Sequence, residues 1–237
     1  MPAAPAQADT PPNLPPRETL PAKLWRYAFV SVSRVGEKLG VDWLTYNWGV
    51  TRSFHQGALE NAPRVVQAIT ETFPAVRSVA DVGCGTGVYT RRFIDKGLAA
   101  VACEYSPRGR RKAQQQGVTC HPFDVSKDDS GMPGKPYDLA MSLEVAEHVP
   151  EFLADAFVAY MCNTSDLIVF TAAYPGQGGI GHINEQPRSY WIAKYNARGF
   201  TLDEPATQNM ARRLTQLGAP PYLPTNMMVF RRTGHAA

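Results

Sequence analysis

From Val76 onward, short apolar runs alternate with longer polar stretches in which apolar side chains recur every three or four positions. The runs read as strands buried on both faces, and the stretches as helices with one apolar stripe. This pattern predicts strands over Ser78–Gly83, Ala99–Tyr105, Val118–Val125, Tyr137–Val145, Asp166–Ala172 and Asn226–Thr233. It predicts helices over Tyr89–Gly97, Ser106–Gly117, Glu147–Met161, Gln186–Gly199 and Ala206–Gly218. Gly97, Gly117, Gly199 and Gly218 stand where a helix closes on a left-handed residue. Strand and helix in regular alternation call for a doubly wound, mostly parallel α/β sheet with helices on both faces.

The chain before this domain is of another character. Residues 1–22 are rich in Pro and Ala, with Pro11, Pro12, Pro15 and Pro16 opposing regular hydrogen bonding, so they read as a disordered leader. Residues 23–75 read as a small helical cap. Its first part mixes aromatic and basic residues (Trp25, Tyr27, Phe29, Trp43, Tyr46, Trp48, Phe54) and is too short to bury a core of its own. Its last part, opening at Asn61 with Pro63 in the first turn, carries Val65, Val66, Ile69 and Phe73 at helical spacing. Residues 76–237 form the main domain.

Composition adds exclusions. The 237 residues are 44% hydrophobic and 19% charged, which suits one sizeable core and rules out a fibre or a wholly disordered chain. The formal charge of +3 is no polyanion signature. The apolar run Tyr27–Val30 falls well short of the roughly 20 residues that span a bilayer. The N-terminal stretch lacks the basic start and apolar core of a secretory signal, so a cytoplasmic location is expected. Cys84, Cys103, Cys120 and Cys162 lack metal-site spacing and read as small buried hydrophobes.

Chemistry enters with Asp81-Val82-Gly83-Cys84-Gly85-Thr86-Gly87, between a predicted strand and a predicted helix. Its glycines allow a tight turn and a ligand close to the backbone. A dinucleotide fingerprint would need glycine at Val88 or Thr90, so the loop departs from that pattern. Glu104 ends the next strand, where a carboxylate can accept both hydrogens of a ribose diol.

The Asp-x-Gly-x-Gly-x-Gly loop, the acid at the second strand end and Asp124 after the third strand resemble the class I S-adenosylmethionine-dependent methyltransferases, whose fold is Rossmann-like. The likeness covers roughly Val76 to Thr233. It implies S-adenosylmethionine as cofactor, with its methionine part near Asp81, Gly83 and Gly85, its ribose on Glu104 and its adenine near Tyr105, Asp124 and Val125. Cys84, Gly87 and Leu143 complete the implied lining.

The fourth strand runs into Glu144-Val145-Ala146-Glu147-His148, at the sheet edge where open α/β domains bind ligands. One turn there would bring Glu144, Glu147 and His148 toward one crevice. The segment is similar to the Glu-x-x-Glu-His stretch of ubiquinone-pathway O-methyltransferases and small-RNA 2′-O-methyltransferases. That similarity implies a divalent cation such as Mg²⁺ on Glu144, Glu147 and His148, with His182 as a fourth ligand. An ion would acidify an acceptor hydroxyl. Without one, His182 or His148 is the natural general base, with His182 preferred for its glycine-rich loop.

The polar turn Asn184–Trp191 follows, with Gln186, Tyr190 and Trp191 able to contact an acceptor. The two aromatics could equally anchor a helix to the sheet. Trp43, Tyr46 and Trp48 are placed as a cover over the cofactor. Arg108, Arg110, Arg111 and Lys112 read as a solvated helix face and leave RNA open as an acceptor. A small-molecule or glycan acceptor leads, with transfer to oxygen first, transfer to nitrogen or carbon next, and a cofactor-binding protein without catalysis as the remaining alternative.

Overall fold

The computed structural model describes residues 48–127 and 136–234, with side chains from Phe54 onward. The leader and the positions of Trp43, Tyr46 and the Trp48 side chain lie outside the described residues. Seven strands form one sheet: β1 (Ser78–Val82), β2 (Ala99–Glu104), β3 (Cys120–Pro122), β4 (Leu139–Leu143), β5 (Leu167–Thr171), β6 (Phe200–Leu202) and β7 (Met228–Arg232). Their spatial order is β3-β2-β1-β4-β5-β7-β6. The first five run parallel, and β7 pairs antiparallel with β5 and β6. Strand order reverses between β1 and β4, which opens a crevice at their carboxyl ends.

Helices cover both faces. On one, α1 (Trp48–Thr72), α2 (Val88–Asp95) and α6 (Glu204–Gln216) pack Val66, Ile69, Phe93, Met210 and Leu214 on Val79, Leu139, Met141 and Val229. On the other, α4 (Ala154–Thr164) and α5 (Arg188–Asn196) bury Phe157, Met161, Trp191 and Tyr195 on Ala140, Ile168, Phe170 and Phe230. Tyr195 stacks on Phe230 with ring centroids 4.0 Å apart. Burying side chains of this size stabilises by roughly 1.5–3 kcal/mol each. The smaller helices are α3 (Pro107–Gln115) and α7 (Tyr222–Asn226).

The expected elements change at three places, each for a local reason. The helix expected from Asn61 starts at Trp48, with Pro63 inside it. Proline there lacks the N–H that would reach the Leu59 carbonyl four residues back, and the next residue, Arg64, donates its guanidinium to the Glu60 carbonyl at 2.8 Å. The helix expected over Glu147–Met161 is broken into 3₁₀ turns at Ala146–His148 and Glu151–Leu153 before α4, because Val149 and Pro150 adopt extended ψ values of 128 and 142. Pro122 ends β3 early, which an edge strand tolerates. Strand β6 and helix α7, too short to leave a periodic signal, were not anticipated.

Candidate functional site

The turn after β1 holds three consecutive alternate glycines at positive φ: Gly83 at 81, Gly85 at 56 and Gly87 at 79. The outer two lie against protein. A Cβ on Gly83 would stand 2.7 Å from Val145, and one on Gly87 would stand 2.6 Å from Ala113. Gly85 is exposed, and a Cβ there would meet nothing within 4 Å. The middle of the loop is therefore bare main chain facing the crevice. Cys84 turns its side chain inward instead, its Sγ 3.6 Å from that of Cys120. Helix α2 starts directly behind Gly87 with no side-chain cap, so its first N–H groups add positive potential to this end of the site.

Two carboxylates bracket the loop. Asp81 is 3% exposed and accepts a 2.6 Å hydrogen bond from the Thr90 hydroxyl. Burial pushes its carboxyl up to about 7 against the opposing Thr90 bond, and the charge of Glu104 adds to the rise. Glu104 accepts from the Gly85 N–H at 2.8 Å and from the Ser106 N–H at 2.7 Å, so the strand-end acid and the loop are one hydrogen-bonded unit. Arg110 ties the same corner by donating to the Glu104 and Tyr105 carbonyls. Past β3, Asp124 accepts from the Ser126 N–H at 3.1 Å and hydroxyl at 2.6 Å, closing a turn beside Val125. Some burial opposes it, but the Ser126 bonds and Lys127 hold its carboxyl below the usual range. Leu143 is partly buried against the apolar layer at the end of β4.

The Glu144–His148 segment divides in two. Glu144 is the one non-glycine among the described residues at positive φ, 54. A left-handed backbone at such a residue costs about 1–2 kcal/mol. It turns the carboxylate toward Gln177 and Asn226, whose side-chain amides donate to its two oxygens at 2.8 and 3.0 Å. The grouping of Glu144 with Glu147 and His148 as ligands is therefore corrected: the Glu144 carboxylate is held by Gln177 and Asn226 and does not join the cluster at Glu147.

Glu147, His148 and His182 do meet. One ligand atom from each lies within 4.8 Å of the others. Glu147 is fully buried, and among the described residues neither carboxylate oxygen has a hydrogen-bond partner. Burial and then Glu144 push its carboxyl well above the usual range, opposed by the nearby N–H groups of Glu147 itself and Ala173, which do not reach hydrogen-bond geometry. His182 Nε2 is 3.9 Å from Glu147, and its Nδ1 is 2.9 Å from Glu185. Glu185 also accepts from the Gly176 and Gly178 N–H groups, so it pins the loop that carries His182. His148 has its Nδ1 3.0 Å from the Gly181 carbonyl, which makes that nitrogen the protonated one. Burial, with His182 adding to it, pushes its imidazolium pKa down to about 4. Two imidazole nitrogens and a carboxylate make a donor set suited to transition-metal ions or zinc rather than to Mg²⁺, which prefers oxygen.

The acceptor side also divides. Trp191 is fully buried and packs edge-on against Phe170, so it anchors α5 to the sheet. Tyr190 lies under the Lys194 ammonium, and the Gln186 amide donates to Asn184. Sequence reasoning missed His55, whose Nδ1 is 2.8 Å from the Thr86 hydroxyl in the glycine loop, because its helix was expected to start later. It also missed Gln177, Glu185 and Asn226, whose neighbours in sequence give no periodic or motif signal.

Comparison with known proteins accords with this geometry. Residues 54–162 match the family described as Methyltransferase domain. An 85-residue stretch is 34% identical to an uncharacterized methyltransferase of a Mycobacterium species. A ubiquinone biosynthesis O-methyltransferase of Cereibacter sphaeroides is 31% identical over 134 residues, 50% of this chain and 49% of that protein. The chain thus spans about half the length of that curated relative. Among solved structures, magnesium protoporphyrin IX methyltransferase from Synechocystis, with bound S-adenosylhomocysteine, superposes with a TM-score of 0.59 at 15% identity, covering 86% of this chain and 99% of that one. A sugar N-methyltransferase from Streptoalloteichus gives a TM-score of 0.57 at 18% identity, covering 77% and 92%. Among the described residues no helix is long and apolar enough to cross a membrane.

Proposed function

Starting from a chain that carries a class I S-adenosylmethionine-dependent methyltransferase domain, we propose that it moves the methyl group of that cofactor to an oxygen of a small metabolite or glycan in the cytoplasm. The observation that carries this reading is the bare Gly85 main chain set between the Asp81 and Glu104 carboxylates at the crevice between β1 and β4. An ammonium seeks Asp81, and a ribose diol seeks Glu104, which would exchange its bond to the Gly85 N–H for the sugar hydroxyls. Adenine would lie over Tyr105, Asp124 and Val125.

Methyl transfer needs the acceptor oxygen, the methyl carbon and the sulfonium in line. The C–O bond forms as the C–S bond breaks, the electron pair goes to sulfur, and the hydroxyl proton must leave. In this reading His182, oriented through Nδ1 by Glu185, receives the proton, because burial and His182 push the His148 imidazolium pKa down to about 4 and leave His148 a weak base. Glu147 lies beside both imidazoles, so a charge forming on them would draw its buried carboxyl toward the ionised form. His148 is held on Nδ1 by the Gly181 carbonyl, which gives it a positioning part in this scheme.

The buried Glu147 oxygens without donors are what a cation would satisfy, so Glu147, His148 and His182 are the residues that would hold one. Such an ion would supply positive charge that acidifies the acceptor hydroxyl.

The preference for oxygen rests on the likeness to the ubiquinone biosynthesis O-methyltransferase. A nitrogen acceptor is the second reading, favoured by the carboxylate of Glu144, which suits an amine. Calorimetry with S-adenosylhomocysteine, followed by transfer of labelled methyl to hydroxyl and amine acceptors, tests the proposal. Absence of affinity for that nucleoside overturns it.

A further inference from the structure

At the carboxyl end of β4, three side chains from three separate segments close a small hydrogen-bonded ring. The Gln177 Nε2 donates to Glu144 Oε2 at 2.8 Å, and the Asn226 Nδ2 donates to Glu144 Oε1 at 3.0 Å and to the Gln177 Oε1 at 2.8 Å. Asn226 is 2% exposed. Glu144 holds its left-handed backbone through its N–H, which meets the Thr171 carbonyl and hydroxyl at 3.1 and 3.0 Å. Glycine would take that backbone at no cost, yet the chain places there a carboxylate held from two sides. Two phenols belong to the same edge: Tyr222 opens α7, which ends at Asn226, and Tyr89 lies in the first turn of α2 directly after the glycine loop; the charge of Glu144 acts on both. The ring stands at the carboxyl end of β4, which pairs with β1, whose carboxyl end carries the glycine loop.

We infer that Glu144, Gln177 and Asn226 form the acceptor-binding wall, and that they take an acceptor carrying a hydrogen-bond donor, a hydroxyl or an ammonium, beside a flat or sugar ring that lies against Tyr89 and Tyr222. The inference rests on the methyltransferase reading. In it Glu144 touches the acceptor, while Asn226 and Gln177 are positioning residues. Each amide takes one lone pair on one oxygen of the carboxylate and fixes the direction of those that remain. Asn226 also ties α7 to the loop that carries His182, so acceptor grip and loop position depend on one residue.

The test uses the full chain with three probe acceptors: catechol, D-glucosamine and ethanolamine. S-adenosylhomocysteine affinity is measured first. Lack of affinity in the wild type overturns the methyltransferase reading and with it this wall, whereas normal affinity in every variant shows that the fold and cofactor site are intact. With affinity present, the wild type is expected to methylate at least one probe. Asn226→Leu should raise KM for it about tenfold or more, with kcat within about threefold. Gln177→Met, at a less buried position, should move KM the same way if Asn226→Leu does not fold. Catechol preferred over the amines identifies a hydroxyl acceptor, and the reverse identifies an ammonium. Nucleoside affinity with no probe methylated overturns the assignment of acceptor class. Unchanged KM in both variants, or a fall in kcat alone, overturns the positioning role.

Discussion

The Thr90 hydroxyl donates to the Asp81 carboxylate at 2.6 Å beneath the glycine loop, and among the described residues it is the one side-chain bond to this acid, which is 3% exposed. With its pKa at about 7, Asp81 is shared between charged and neutral forms at physiological pH. An ammonium arriving beside it favours the charged form. Cofactor binding should therefore release a proton, and affinity should rise with pH through about 7 and then level off. It should fall again as the amino group of the cofactor titrates near pH 8. One pH unit below the midpoint, binding should be about tenfold weaker than on the plateau. Calorimetry in two buffers of different ionisation enthalpy reads the proton directly. Asp81→Asn should abolish the release, and a release that persists in that variant would assign it elsewhere.

Glu104 makes a different prediction because its carboxylate is already engaged by N–H groups that a bound diol would rearrange. Glu104→Ala removes a charged acceptor of hydrogen bonds, an interaction of about 1.5–3 kcal/mol, so cofactor affinity should fall roughly 10- to 100-fold. Deoxyadenosine analogues lacking a ribose hydroxyl should lose affinity with the wild type and little more with the variant. Equal losses in both would remove the diol from this carboxylate.

How much of this was legible beforehand follows from how far each signal reaches along the chain. Five parallel strands and the glycine loop announce themselves locally, since burial on both faces and a turn at positive φ demand particular residues at neighbouring positions. The antiparallel return of β7 and the three-residue β6 do not, because their pairing is settled by tertiary contact. The site splits along the same line. Asp81 and Glu104 sit at strand ends that a pattern can locate. The partners of Glu144 lie 33 and 82 positions away, and no local spacing links them. The Glu-x-x-Glu-His stretch misled in one respect: helical spacing would gather its ionisable groups, but the left-handed turn at Glu144 sends the first one elsewhere.

His55 connects the cap to the cofactor loop through a single bond to Thr86. A neutral hydrogen bond of this kind contributes about 1 kcal/mol net, so His55→Ala should weaken S-adenosylhomocysteine binding roughly fivefold by loosening the loop. His55→Asn, which keeps a polar group near the hydroxyl, should recover part of that loss. Identical affinities in all three proteins would make the contact irrelevant to the loop.

Glu147 sets the hardest condition in the fold, since a buried carboxylate without hydrogen-bond donors needs either a proton or a cation. Its folded pKa is raised above the unfolded value, so folding takes up a proton. The metal-free protein should then be most stable at low pH and lose that contribution as pH rises from the ordinary carboxylate range toward the raised value. Glu147→Gln keeps the shape and removes the titration. Thermal denaturation after chelation should show wild-type stability falling relative to the variant as pH rises above the ordinary carboxylate range. Adding Mn²⁺ or Zn²⁺ should reverse the order, raising the melting temperature of the wild type and leaving Glu147→Gln unmoved, because only the carboxylate completes the ligand set with His148 and His182. Should neither ion separate the two proteins, the proton is the occupant, and acid–base work by the imidazoles remains as the role of the cluster.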